Sequence, residues 1–310
     1  MTDSDQTNPP KILVTGGRGQ LGSAIRSLCA ERGLELVATD IPMPEAPHDG
    51  VLELDVTDAD ACRRRLAAER PFLTLHCGAW TDVDGCEGDP QKADRINGHG
   101  TAYLAEACRA VGSRIVYVST DYVFDGEVTD RPLKEDEAIG PLSAYGRSKR
   151  LGEEAVLRDV GDDASSAVPH HVVRTAWVFG PGGKNFPRAI LNRAGQGLPL
   201  TVVDDQHGCP TLTDDLAEAL VDLGLSDAPS GVWHATNDGH CSWFEFAKEI
   251  LAQTGLDVAC DPMPSTELDR PAPRPAWSVL DCSKLESQRG RTLPHWRDAL
   301  RRYLKAEAEI

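Results

Sequence analysis

The sequence predicts an α/β fold: a doubly wound parallel sheet with a smaller domain at its C-terminal end. Three observations lead there. Apolar runs of strand length alternate with stretches of helix length through the first two thirds of the 310 residues, the signature of a parallel sheet with helical crossovers. The first such run feeds straight into a glycine-rich turn and a helix. After Pro181 the rhythm breaks, and glycine and proline become frequent.

Residues 1–10 (MTDSDQTNPP) are polar and acidic and lack the apolar stretch of a signal peptide. They are expected to be a disordered tail. Lys11–Thr15 is a short apolar run that reads as a buried strand. It opens into Gly16, Gly19 and Gly22, a GxxGxxG turn, and then a helix over 20–32. Strand, glycine turn and helix are the context a dinucleotide fingerprint requires. Pyrophosphate would sit on the free N–H groups of that helix start. A second strand over 34–39 ends in Asp40, about 20 residues on, where a carboxylate can accept hydrogen bonds from the adenosine ribose. Further strands are expected at 72–77, 114–119 and 170–178, with helices at 58–69, 90–111, 144–158 and 213–224. Asp159–Pro169 reads as an acidic surface insertion. The domains are expected at 11–180 for a Rossmann-type dinucleotide-binding unit and 181–310 for a mainly substrate-binding unit, with the chain free to cross between them. Asp261–Pro275 carries five prolines and is expected to be rigid loop without binding contacts.

Composition narrows the function. The net charge of −17, from 49 acids against 32 bases, lacks the basic footprint of a nucleic-acid partner. No run of ~20 apolar residues suggests a membrane span. Nine cysteines with no CxxC spacing fit reduced cytoplasmic thiols better than disulfides or zinc. Cys77 and Cys209 read as small apolar fillers. His76 has no acid at metal-ligand spacing, and no metal site is expected.

Tyr145-Gly-Arg-Ser-Lys149 places a phenol and an ammonium on one face of a helix start. A lysine cation nearby should favour the phenolate and lower the tyrosine pKa. Such a tyrosine can protonate a developing alkoxide. The strand at 114–119 ends in hydroxyls, Ser119 and Thr120, at the edge where α/β sheets bind ligands.

Together these segments resemble the extended short-chain dehydrogenase/reductase family. Within it, STDYVFDG (119–126), PLSAYGRSK (141–149), VVRTAWVFG (172–180), DDQHGCPT (204–211) and TDVDGCE (81–87) are similar to the dTDP-4-dehydrorhamnose reductases, over about 11–305. The resemblance implies NADH or NADPH as cofactor and a dTDP-linked 4-keto-6-deoxyhexose as substrate. It implies Tyr145 as proton donor, Lys149 on the nicotinamide ribose and Thr120 on the carbonyl oxygen. It places Gly16, Gly19, Gln20, Leu21, Asp40, Asp55, Val56, Gly78, Ala79 and Trp80 at the cofactor. Val83, Asp84, Thr120, Asp121, Trp177 and Gln206 fall at the substrate. Asp205 and Thr211 match the pocket-shaping run, while His76 and Asp204 replace asparagines of the family pattern. Related 4,6-dehydratases carry Thr-Asp-Glu, whereas Thr120-Asp121-Tyr122 lacks the glutamate, which points to simple carbonyl reduction. Arg174 and Arg188 are candidates for the substrate diphosphate. Asp40 favours NADH; Arg18, inside the turn, would permit a 2′-phosphate.

Two other readings remain open at this stage. One is a 4-ketoreductase for another dTDP-deoxysugar; the other is a non-catalytic regulatory subunit of the same fold. Some related reductases form homodimers, and the sequence alone leaves that state open.

Overall fold

The computed structural model describes residues 9–43, 49–158 and 168–308. Seven parallel strands form the central sheet: β1 (Ile12–Thr15), β2 (Leu36–Asp40), β3 (Leu52–Glu53), β4 (Leu73–His76), β5 (Arg114–Thr120), β6 (His170–Thr175) and β11 (Gly231–His234). Their order is β11-β6-β5-β4-β1-β2-β3. The order reverses between β1 and β4, which opens a crevice at their carboxyl ends. The strands are apolar on both faces because helices cover both. On one face, α1 (Gln20–Glu31) and α8 (Thr213–Leu225) bury Ile25, Cys29, Leu216 and Leu220 against the sheet. On the other, α2 (Ala59–Glu69), α5 (Thr101–Val111) and α6 (Ala144–Leu157) bury Leu66, Leu104 and Val156.

The remaining elements build a second unit. Short strands pair as β7 (Val178–Phe179) with β10 (Thr211–Leu212), β9 (His207–Gly208) with β12 (Cys241–Ser242), and β8 (Leu200–Val203) with β13 (Cys260–Met263). A separate core of Phe179, Phe246, Trp296 and Tyr303 joins them to α7 (Phe186–Ala194), α9 (Trp243–Thr254) and α11 (Trp296–Ala308). Two short helices, α3 (Val83–Gly88) and α4 (Pro90–Ala93), follow β4, and α10 (Ser283–Arg289) packs near β11.

Three departures from the sequence reading have physical causes. The stretch 90–111 is not one helix: Asp94–Gly100 is π-helical between α4 and α5. The strand expected to reach 178 stops at Thr175, because Trp177 adopts φ +48°, which no strand accommodates. Past residue 180, α8 and β11 return to the first sheet, a crossing that the expected division left room for. The proline-rich stretch begins with β13, and its Ala272 and Arg274 reach back to Asp84 on α3. The expected tail at 1–10 and the acidic insertion at 159–169 lie outside the described residues, apart from Pro9, Pro10, Val168 and Pro169. Among the described residues no helix is long and apolar enough to cross a membrane.

Candidate active site

A cleft of about 1080 Å³ runs along the carboxyl ends of β1, β4, β5 and β6. Pockets for single small ligands span roughly 300–1,000 Å³, so the cleft has room for a dinucleotide and a second ligand. At one end lies the glycine turn. Gly16 has φ +68°, and a Cβ there would meet the Gly78 nitrogen at 2.9 Å. A Cβ on Gly22 would lie 2.1 Å from the Gly16 carbonyl oxygen. The turn therefore needs both glycines to fold this tightly. No side chain caps α1 at Gly19, which leaves first-turn N–H groups free for an anion. Gln20 and Leu21 begin the helix at the cleft wall. At the end of β2, Asp40 accepts from the Arg18 and Ile41 backbone N–H groups, each at 2.8 Å. Asp55 and Val56 complete that wall.

The floor is Gly78-Ala79-Trp80, and buried hydrogen bonds fix it from beneath. The Gly78 N–H donates to the Thr15 hydroxyl at 3.1 Å, and that hydroxyl meets His76 Nδ1 at 2.7 Å. His76 Nε2 meets the Thr101 hydroxyl at 3.0 Å, which donates onward to the Asn97 carbonyl at 2.6 Å. Burial lowers the His76 pKa to about 3, so the ring is neutral. The pattern assigns the Nε2–H tautomer. Asn97, inside the π-helical segment, holds both the N–H and the carbonyl of Trp80. π-Helical turns frequently occur at functional sites.

Thr120, Tyr145 and Lys149 all line the far part of the cleft. Ser143 caps α6 by accepting from the Gly146 N–H at 3.2 Å, which sets Tyr145 in the first turn and Lys149 one turn later. The Thr120 hydroxyl donates to Asp121 at 3.0 Å. The other carboxylate oxygen of Asp121 is buried without a hydrogen-bond partner. Burial raises the Asp121 pKa to about 6, with the nearby hydroxyls of Ser278 and Thr120 working against it. The Lys149 ammonium lies 4.2 Å above the Tyr117 ring. Burial lowers its pKa to about 7, with Glu153 pulling the other way.

The electrostatics correct one expectation. The Tyr145 phenol is shifted up, first by burial and then by the charge of Asp121, while Thr120 works against both. Burial outweighs any lowering by Lys149, whose own pKa burial brings down to about 7.

Of the residues expected at the substrate, Val83, Thr120, Asp121 and Trp177 line the cleft, whereas Asp84 and Gln206 are not among its lining residues. Asp84 is taken by Arg274 at 2.9 Å and by the Ala272 N–H. The 204–211 run works as a brace: Asp204 accepts from Ser242, Asp205 from Ser265, and the Thr211 hydroxyl donates to the Cys209 carbonyl. Neither arginine proposed for a diphosphate is free. Arg174 is buried and donates twice to Glu153 at 2.9 Å, and Arg188 pairs with Glu307. Arg18 is held by Asp49 at 3.2 Å.

The sequence reading missed Lys92, Arg95, Lys184 and Trp243, all on the cleft. Arg95 sits in the π-helical segment that helical periodicity hides. Lys92 covers Trp80 at 4.2 Å. Arg95 and Lys184 make no ion pair with a described residue.

A family model described as the RmlD substrate binding domain matches residues 10–309. A dTDP-4-dehydrorhamnose reductase of Streptomyces griseus is 42% identical over 296 residues, covering 94% of this chain and 92% of that protein. A dTDP-4-dehydrorhamnose reductase structure from Clostridium acetobutylicum ATCC 824 gives a TM-score of 0.85 at 36% identity, covering 96% of this chain and 99% of that one. Another from Bacillus anthracis str. Ames, solved in complex with NADP, gives 0.84 at 30% identity with the same coverage, 96% and 99%.

Proposed function

The chain belongs to the RmlD family, and we propose that it reduces the C4 ketone of dTDP-4-dehydro-6-deoxy-L-mannose to dTDP-L-rhamnose with NADH or NADPH. The reading rests above all on one observation. Thr120, Tyr145 and Lys149 converge in a cleft that continues to an uncapped helix start behind a glycine turn. The residues present fit a dinucleotide: the turn admits close backbone approach, Asp40 can accept from ribose hydroxyls, and the floor loop is rigidly held. When bound, the nicotinamide supplies a hydride to the C4 carbon.

The protein's own part is positional and protic. Lys149 holds ribose hydroxyls beside Tyr145. The Thr120 hydroxyl turns from Asp121 to the carbonyl oxygen and polarises it. Tyr145 then gives its phenolic proton to that oxygen as charge develops there, and solvent restores the phenol. A raised phenol pKa keeps that proton in place until negative charge develops on the carbonyl oxygen. Arg95 and Lys184 provide positive charge for diphosphates in a protein of net charge −17. With Arg18 occupied by Asp49, the ribose-facing charge is Asp40, which favours NADH over a 2′-phosphate. The excess of acids leaves nucleic acid an unsuitable partner. Nine free thiols suit the cytoplasm.

The test is oxidation of NADH and NADPH by the purified protein with the dTDP-4-dehydro-6-deoxy-L-hexose generated in situ. Formation of dTDP-L-rhamnose, identified by mass and NMR, supports the reading. Oxidation only with a different dTDP-4-ketohexose reassigns the substrate. Cofactor binding with no oxidation of any such sugar leaves the regulatory reading.

A further inference from the structure

Trp177 and Trp243 form a parallel indole stack with ring centroids 3.4 Å apart and planes inclined by 6°. Both rings are half-buried and both line the cleft. Trp177 holds φ +48°, a conformation that is an outlier for a bulky residue and persists only where its surroundings impose it. Those surroundings come from the second unit. Gly208 lies against the indole so closely that a Cβ would fall 2.5 Å from it. β9 pairs antiparallel with β12, Gly208 against Cys241 and His207 against Ser242. Ser242 then caps α9 in a reciprocal box with Glu245, and Asp204 accepts from the Ser242 hydroxyl. The first residue of α9 is Trp243. Phe186 backs it with ring centroids 4.6 Å apart. The 204–211 run thus acts on the cleft indirectly: it seats one indole and leaves room for the other.

The position of the stack indicates what it meets. Thr175 pairs with Thr120 across β6 and β5, so Trp177 emerges two residues beyond the carbonyl-binding hydroxyl. It stands on the side away from the glycine turn. The two ring carbons next to the reacting C4 are C3, which carries a hydroxyl, and C5, which carries the methyl group of a 6-deoxyhexose; of the two edges, the methyl-bearing one suits an indole face. The nucleoside lies two phosphates away from it. Beyond Thr120 and Thr175 on this side, the cleft wall is carried by the two indoles.

We infer that Trp243, together with Trp177, is a specificity-determining residue that receives the methyl-bearing edge of the sugar and selects a 6-deoxyhexose over its 6-hydroxy counterpart. This rests on the sugar-nucleotide reading above. An added hydroxyl against the stacked indoles loses water and gains no partner. Hydrophobic pockets reject such an addition by about ten- to a hundredfold.

The experiment measures binding of dTDP, dTDP-glucose and dTDP-6-deoxyglucose to the NADH-loaded protein by calorimetry. Wild type, Trp243→Phe and Trp243→Ala are compared. The two sugars differ only at the methyl. Wild type should prefer the deoxy sugar by about tenfold or more. Trp243→Ala should reduce that preference to within about threefold while leaving affinity for dTDP and for NADH unchanged, and Trp243→Phe should keep most of it. If Trp243→Ala does not fold, Trp243→Gln, which offers the added hydroxyl a partner, takes its place with the same expected loss of preference. Binding without a methyl preference in wild type, or a preference that survives in both variants, overturns this inference alone. Failure of every dTDP ligand to bind wild type overturns the sugar-nucleotide reading and this inference with it.

Discussion

Replacing Lys149 with methionine is expected to abolish turnover and, at the same time, to stabilise the cofactor-free protein near neutral pH. The lysine is 2% exposed, and burial lowers its pKa from 10.5 to about 7. Below that value the folded protein must hold an ammonium out of water. Between 7 and 10.5 the unfolded chain carries a proton that the folded one has released. Stability therefore rises with pH through this window and is lost as pH falls toward 7. The full slope is about 1.4 kcal/mol per pH unit. Allowing for half-titration at the folded pKa, Lys149 accounts for roughly 2 kcal/mol between about pH 7 and pH 9. Buried thiols such as Cys62, raised to about 12, act in the opposite sense at higher pH, so the comparison belongs below about pH 9. Methionine fills the space without the charge. Urea unfolding of both proteins across that range is the assay, since other titrations cancel in the difference. The variant's advantage should be largest near neutrality and shrink by roughly 2 kcal/mol toward pH 9. Parallel stability curves would refute the reasoning, because they would mean the ammonium is not desolvated.

Tyr145→Phe should lower kcat by about 10²–10⁴-fold while NADH titration shows unchanged affinity; turnover near wild type would show that another group donates the proton. Wild type should show a lower KM for NADH than for NADPH. Asp40→Asn should weaken NADH by about ten- to a hundredfold, as expected for loss of charge-assisted hydrogen bonds, and narrow the gap to NADPH. A strong NADPH preference in wild type would overturn the role given to Asp40.

Much of the first unit is legible in the sequence because its signals are local. An apolar run, a glycine turn and a helix from 12 to 31 follow from chain stiffness and burial alone. The phenol and ammonium of α6 share a face by helix geometry. What stays hidden depends on contacts distant in sequence. Arg174 reads as a cation available to a diphosphate, yet its partner Glu153 lies on another element. Nothing near Gln206 reveals that its segment braces Ser242 rather than lining the cleft. Arg95 is masked because the helical period assumed for 90–111 fails at the π-helical segment. The direction of the Tyr145 shift was misread for a related reason: spacing gives the neighbour but not the depth at which both are buried.

The return of α8 and β11 to the first sheet bears on how the protein is made. Synthesis runs from the N-terminus, and domains generally fold as units as they emerge. Here the unit that carries the glycine turn lacks its last strand until residue 234 has left the ribosome. Until then β6 presents an open edge, ready to pair with another strand. The apolar side of α1 likewise waits for α8. More than fifty residues separate β6 from β11, most of them in the second unit, so the nascent chain must keep a nearly complete sheet from pairing wrongly while the piece that seals it is still being translated.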